Sequence, residues 1–414
     1  MIMPRVVISG MGIISPVGNN IADFGKSIEN GVCGIDKITK FDTADYKVKL
    51  AAEVKGFDPS DYFESVTEAR RADLYTQYAV AAATQAVNDS GISISNTDPY
   101  RLGVYIGSGI GGMSTFIAET TKLLNKGPSR VSPLFIPMMI SNMASGTVAI
   151  KFGAKGPTLP TVTACATSSN AFGEAYRAIK HGYADAIITG GSEATINGLA
   201  VAGFTNCRAL SESTDPMRAS IPFDAERSGF VMGEGAAILV LESLDHALAR
   251  NARIYAEVVG YGNTCDAYHM TSPDPEAGGA IMAIKLAVEE SGITAGEHLY
   301  FNAHGTGTHM NDSSETKAIK NVFGEGAYKL HMSSTKSMTG HMLGATGAAE
   351  LIVCTLTINS GIVPPTINYS VPDPECDINC TPGKAVKATI TETLSTSLGF
   401  GGHNACIALR KYEE

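Results

Sequence analysis

The chain alternates short runs rich in β-branched residues, several closing on glycine, with longer stretches of helical character, and few folds accept that rhythm. "RVVISG" (5–10), "LGVYIGSG" (102–109), "ADAIITGG" (184–191), "GAAILVLES" (235–243) and "IYAEVVGYG" (254–262) read as strands. "RRADLYTQYAVAAATQAVNDSG" (70–91) and "NAFGEAYRAIKHG" (170–182) read as helices, each closed by a glycine suited to the left-handed position after the last turn. The alternation predicts an α/β protein with buried, mostly parallel sheets. At 414 residues, 44% hydrophobic and only 17% charged, the chain can build two or three ordinary units or two large fused halves around a sizeable core. Its 44 glycines lie between apolar runs and imply tight turns and close backbone approaches.

A weak internal repeat favours two halves meeting near residue 255. "TVTACATSSNAF" (161–172) is a small-residue corner with Cys165, followed by a helix and then the strand at 184–191. "LHMSSTKSMTGHMLGATGAAELIVCTLTINSG" (330–361) has the same order of strand, corner and helix, with Lys336 and His341 in the corner. The division expected is 1–255 and 256–414, with no Pro- or Ser-rich linker between, so the halves should pack rather than hinge.

Other classes are disfavoured. A net charge of −10 opposes broad nucleic-acid or anionic-membrane binding, and no run of about 18 apolar residues is evident. The start, "MIMPRVVISGMG", leaves no room for a signal peptide, so a cytoplasmic setting is expected, or an organelle lumen after removal of a transit peptide. Eight cysteines without zinc-type spacing read as free thiols in a reducing compartment. "GSGIGG" (107–112) fits a dinucleotide fingerprint, but no acidic residue follows at a strand end about 20 positions on, and a tight turn explains it.

The chemistry-bearing residues are scattered. A cysteine by itself is more often an inert small residue than a nucleophile. Cys165, however, precedes a helix whose N-terminus favours a thiolate. "NAHGTGTHMNDSSE" (302–315) puts His304 at a strand end; Gly305 and Gly307 keep it off a shared helical face with His309, which argues against a metal pair. In "SSTKSMTGHMLGATGAAE" (333–350), Lys336 sits among uncharged residues, and burial would oblige it to find a carboxylate: Asp312, Glu315 or Glu350. "TSLGFGGHNA" (396–405) permits a tight turn around Phe400 whose N–H groups could face a ligand oxygen.

Taken in order, "RVVISGMGIISPVG", "GSGIGG", "TACATSSNA", "SIPFDAERSGFVMGEGA", "DAYHMTSP", "NAHGTGT", "STKSMTGHMLGATGAAE" and "GFGGHN" resemble the β-ketoacyl-[acyl-carrier-protein] synthases, specifically the elongating type II enzymes, over essentially the full length. The resemblance implies a duplicated thiolase-like α/β fold in five αβαβα layers. It implies an acyltransferase that condenses malonyl-acyl carrier protein with a Cys-bound fatty acyl group, releasing CO2. No cofactor is implied beyond the phosphopantetheine that carries the substrates, and a homodimer partnered by acyl carrier protein is expected, without nucleic acid or membrane.

By the same resemblance Cys165 is the acyl acceptor, His304 and His341 assist decarboxylation, and Lys336 sets the electrostatics. Backbone N–H groups of Cys165 and Phe400 hold an oxyanion, and Phe400 is the gating aromatic. Thr306 and Thr308 match threonines that bind the pantetheine arm. Ile110, across the dimer interface, and Phe204 are expected in the acyl pocket. Arg70, Arg71, Lys126, Arg130 and Arg208 are candidates for docking the acidic carrier protein. No catalytic metal is implied, but Asn302 and Glu350 match positions that bind a structural monovalent cation in some relatives. Thr396 and Leu398 depart from the Asn and Phe of many relatives, which bears on that cation and on pocket shape. Two alternatives are weaker: a coenzyme A thiolase needs a second catalytic cysteine near the C-terminus, and a non-catalytic chain-length partner lacks the nucleophile that Cys165 supplies.

Overall fold

The computed structural model describes residues 3–413. One nine-stranded sheet contains β1 (Val6–Ile14), β2 (Leu102–Gly107), β3 (Ala186–Glu193), β4 (Gly235–Ser243), β5 (Ala256–Cys265), β6 (Leu299–Asn302), β7 (His331–Ser333), β8 (Glu392–Gly399) and β9 (His403–Arg410), in the order β2-β3-β4-β1-β5-β9-β8-β6-β7. Its helices are α1 (Leu74–Ser90), α2 (Met113–Lys126), α3 (Met143–Phe152), α4 (Thr167–Lys180), α5 (Gly278–Ser291), α6 (His309–Phe323) and α7 (Thr346–Ser360).

The expected strands and helices are present with ends shifted by a few residues. Strand direction differs from expectation. Antiparallel pairing joins β1 to β4 and β5, β3 to β4, and β9 to β5 and β8; only β2–β3, β6–β8 and β6–β7 are parallel. The sheet is therefore mixed rather than mostly parallel. The physical reason is burial: β1 and β4 are buried at every position, and a strand covered on both faces reads as one apolar run whichever way its neighbour points.

The duplication is explicit in the sheet. Thr158 bridges Val104 of β2 in parallel, so the first half reads Thr158-β2-β3-β4-β1 and the second β7-β6-β8-β9-β5, with matching directions at every step. The halves join where Val6, Val7 and Ile8 of β1 pair with Val258, Glu257 and Ala256 of β5. α4 and α7 lie together between the two halves of the sheet, burying Phe172, Tyr176, Leu351 and Ile352 against Ile8, Leu239 and Ile407. α1 and α3 cover the far side of the first half and α5 and α6 that of the second, completing the αβαβα order.

The turns ahead of the central helices match too. Ala164–Ala166 leads into α4 from Ala164 at φ 50°, and Leu343–Ala345 leads into α7 from Leu343 at φ 47°. Positive φ is costly for a residue with a side chain and persists where the surroundings enforce it. The stretch 343–360, 18 residues of mean hydropathy 1.2, is long and apolar enough to cross a membrane by composition; it is 83% buried here as this second turn and α7. The sequence reading missed it because Glu350 and several threonines interrupt the run.

The central helices approach so closely that a Cβ on Gly347 would lie 2.0 Å from Ser169 Oγ, and α4 meets β5 so closely that one on Gly173 would lie 2.3 Å from the Tyr261 ring. Replacing Gly347 with Val should therefore lower unfolding free energy by about 1–3 kcal/mol through overpacking. Urea denaturation checks this: an unchanged midpoint would mean the helices can separate without penalty.

Candidate active site

Four segments from both halves converge on one cavity of about 300 Å³, whose lining includes Cys165, His304, His341, Thr306, Thr308, Arg208 and Phe400. Cys165 comes from the turn before α4, held from below by Thr163, whose N–H donates to Thr167 Oγ1 at 2.9 Å and whose hydroxyl donates to Asn170 Oδ1 at 2.7 Å. His304 follows β6. Its N–H and that of Gly305 donate to the Glu315 carboxylate at 2.7 and 2.8 Å, which pins the loop through its main chain. His341 follows the Lys336–Thr339 turn of helix, and its own N–H donates to Val231 O at 2.7 Å.

The three reactive side chains are close. Ligand-type atoms of Cys165, His304 and His341 all lie within 4.8 Å of one another, and the two imidazoles meet edge to face with centroids 5.3 Å apart. Such a set could hold a zinc-type ion, which would then occupy the sulfur. His341 Nδ1 accepts from Leu343 N at 3.3 Å and lies 3.0 Å from Thr346 Oγ1. Because Nδ1 accepts, the proton belongs on Nε2, a buried donor without a partner among the described residues. His304 Nδ1 is likewise buried and unpartnered. Burial first, then the charge of Lys336, hold both histidines well below the ordinary imidazole range, so both are neutral.

Of the three carboxylates considered for Lys336, Glu350 is its partner, and both are buried. Asp312 instead accepts from Phe223 N and Gly307 N and faces Arg227, while Glu315 serves the His304 loop. Burial pushes the Glu350 carboxyl up to about 7 even though Lys336 opposes it.

The expectation of a favoured thiolate is corrected. Burial raises the Cys165 thiol to about 11, against the lowering effects of Lys336 and of the Phe400 and Cys165 main chain. A helix N-terminus is worth about 0.3–1 kcal/mol, less than one pKa unit at roughly 1.4 kcal/mol per unit, so desolvation wins. The sulfur rests as a thiol.

The glycine-rich turn behaves as the sequence suggests. Gly399 pairs with His403 across the β8–β9 hairpin, Gly401 and Gly402 have φ of 87° and 77°, and a Cβ on Gly399 would meet Cys165 N at 3.2 Å. The backbone therefore lies directly against the nucleophile turn. Phe204 does not line the cavity; it stands behind Phe400, with ring centroids 6.2 Å apart. Ile110 is not part of the lining either and is 40% exposed on the single chain. Thr306 and Thr308 hydroxyls lie 3.0 Å apart, and Thr308 also caps α6. Arg208 lines the cavity; Arg70, Arg71, Lys126 and Arg130 are exposed and stand outside its lining.

Asn302 Oδ1, Glu350 Oε2 and Ser395 Oγ are buried without a partner among the described residues, and Ser395 is paired with Asn302 across β8 and β6. Such all-oxygen donors suit a hard cation. Thr396 points away from them, its hydroxyl donating to Glu315 Oε1 at 2.5 Å.

The family profile described as "Beta-ketoacyl synthase, N-terminal domain" matches residues 3–247, and that of the "Beta-ketoacyl synthase, C-terminal domain" matches residues 255–370. The chain belongs to the beta-ketoacyl synthase family. This beta-ketoacyl synthase is 53% identical over 409 residues, 99% of both chains, to a "3-oxoacyl-[acyl-carrier-protein] synthase 2" of Staphylococcus aureus strain N315. Its fold matches the solved "ishigamide ketosynthase/chain length factor" at TM-score 0.92 with 35% identity, covering 99% of this chain and 100% of the other. It also matches a type II polyketide ketosynthase solved in complex with its acyl-carrier protein and bound to a hexaketide, at TM-score 0.91, 33% identity and the same coverage.

Sequence reading missed two features of this beta-ketoacyl synthase. Exposed Cys207 shares the cavity with Cys165, and buried Glu193 at the end of β3 touches both halves. The only signal for the second is an acid closing an apolar strand in "IITGGSE".

With the thiol near 11, iodoacetamide alkylation of Cys165 should keep accelerating above pH ~9, since the thiolate fraction grows about tenfold per unit below the pKa. Lys336→Ala removes a charge that lowers that pKa and should slow alkylation at every pH. A plateau near neutrality would contradict the burial argument.

Proposed function

We propose that this chain is a 3-oxoacyl-[acyl-carrier-protein] synthase that elongates fatty acyl chains by decarboxylative condensation. The observation that carries the reading is one partly buried thiol facing two neutral imidazoles within 4.8 Å, each with one buried ring nitrogen that has no partner among the described residues. The full-length identity to a 3-oxoacyl-[acyl-carrier-protein] synthase 2 supports fatty acid over polyketide supply.

Cys165 sulfur attacks the acyl thioester on phosphopantetheine, and the N–H groups of Cys165 and Phe400 stabilise the resulting oxyanion. The pantetheine thiol leaves with the cysteine proton. Malonyl thioester then enters. Hydrogen bonds from His304 and His341 to its carbonyl oxygen stabilise the enolate formed as CO2 departs, an interaction strongest where charge develops. The enolate carbon attacks the acyl carbonyl on Cys165, and the released thiolate takes a proton from solvent. Lys336, its own buried charge held by Glu350, disfavours a second positive charge nearby and so helps keep both imidazoles neutral.

Thr306 and Thr308 would hold the pantetheine arm and Phe400 would gate it, with Phe204 behind. Docking of acyl carrier protein is assigned to Arg208 at the cavity and to the exposed Arg70, Arg71, Lys126 and Arg130. A homodimer is supported by exposed large apolar side chains that a partner could cover, among them Phe116, Leu123 and Leu124 of α2, Ile110 and Val162. Ile110 would then close the acyl pocket from the partner. Asn302, Glu350 and Ser395 would hold a structural monovalent cation that steadies the Lys336 side. The halves are divided at 255/256, and the free thiols support a reducing, cytoplasmic setting.

Condensation assayed by formation of 3-oxoacyl-carrier protein tests the reading. His304→Ala and His341→Ala should each cut turnover by about 10²–10³-fold while Cys165 still becomes acylated. Loss of acylation in both variants, or normal condensation in either, would overturn the division of labour.

A further inference from the structure

Glu193 closes β3 with 0% exposure and joins three segments. Its Oε2 accepts from Gly109 N at 2.9 Å, in the turn after β2, and from Gly344 N at 3.1 Å, in the turn before α7 of the other half. Its Oε1 accepts from Thr195 Oγ1 at 2.8 Å and Ser108 Oγ at 3.3 Å. It takes part in no ion pair among the described residues. The niche admits only glycine beside it: a Cβ on Gly109 or Gly344 would lie 2.8 or 2.9 Å from Oε2.

The internal repeat gives this niche a meaning. Leu343–Ala345 before α7 corresponds to Ala164–Ala166 before α4, so Gly344 stands where Cys165 stands. At Cys165 the turn's N–H is left to the cavity, where an oxyanion would develop. At Gly344 the equivalent N–H is taken by the protein's own carboxylate. The residue before it, Leu343, is the one whose N–H donates to His341 Nδ1.

We propose that Glu193 is a positioning residue, an internal anion in the second turn's N–H site that holds Leu343 against His341 Nδ1 and so keeps the His341 proton on Nε2, facing the substrate. This deepens the proposed reaction and rests on it. Glu193 touches no reacting atom. Its hydrogen bonds reach the His341 side and not Cys165; its charge only adds to the raising of the Cys165 thiol, so its loss should slow decarboxylation and not acylation.

The two half-reactions separate the outcomes. Glu193→Ala should slow malonyl-carrier-protein decarboxylation about 10- to 100-fold, the scale of a small misplacement of a catalytic group, with Cys165 acylation within about threefold of the parent. Glu193→Gln should restore most of the rate, because its amide oxygen can accept both N–H groups and its NH2 can donate to Thr195. Nitrogen-15 NMR of the imidazoles should show His341 protonated at Nε2 in the parent and Gln variant and a tautomer mixture in the Ala variant. If Glu193→Ala does not fold, Glu193→Asp, one methylene too short to reach both N–H groups, should show the same selective loss. Equal slowing of both half-reactions, or an unchanged His341 tautomer, would overturn the assignment. A parent protein that neither acylates nor decarboxylates would instead refute the proposed function.

Discussion

Everything chemical in this molecule depends on how closely α4 and α7 approach along the axis relating the halves. Gly347 of α7 against Ser169 of α4 leaves no room for a methyl group. That contact sets the turn before each helix beside the other. One turn brings Cys165, and the other brings His341 and the Leu343 N–H that orients it. His304 and Phe400 arrive on loops that the same sheet delivers. A site assembled from such distant segments needs a scaffold that does not breathe by an ångström.

The second theme is charge kept in pairs inside a dry centre. Lys336 meets Glu350, and the two imidazoles stay neutral because burial and Lys336 both disfavour a further positive charge. The same dryness keeps Cys165 protonated at rest, so its proton leaves with the incoming thioester's own leaving group. Neutral donors near a developing enolate stabilise it without the solvation that charged groups would require.

Much of this was legible from the chain. Cys165, His304, Lys336 and His341 lie in long, distinctive motifs, and the repeat around 161–191 and 330–361 is real in the sheet order. What the sequence hid has physical causes. Strand direction is invisible where helices cover both faces. The sign of the thiol shift depends on burial against a helix end, which no local pattern states. Glu350 could not be chosen over Asp312 and Glu315 until packing gave the other two their own N–H partners. Glu193 carries no motif, and the partners that give it meaning, Gly109 and Gly344, come from opposite halves. Ile110 and Phe204, expected in the pocket, do not line the cavity of this chain: Phe204 stands behind Phe400 and Ile110 is exposed.

The most direct test is to incubate the protein with a fatty acyl-carrier protein, digest it, and locate the acyl group by peptide mass spectrometry. Two thiols share the cavity, Cys165 and Cys207, so the position discriminates. The account predicts the acyl thioester on Cys165 alone, discharged when malonyl-carrier protein is added. An acyl group on Cys207, or none on a folded chain, would contradict it and leave the resemblance to describe the scaffold only.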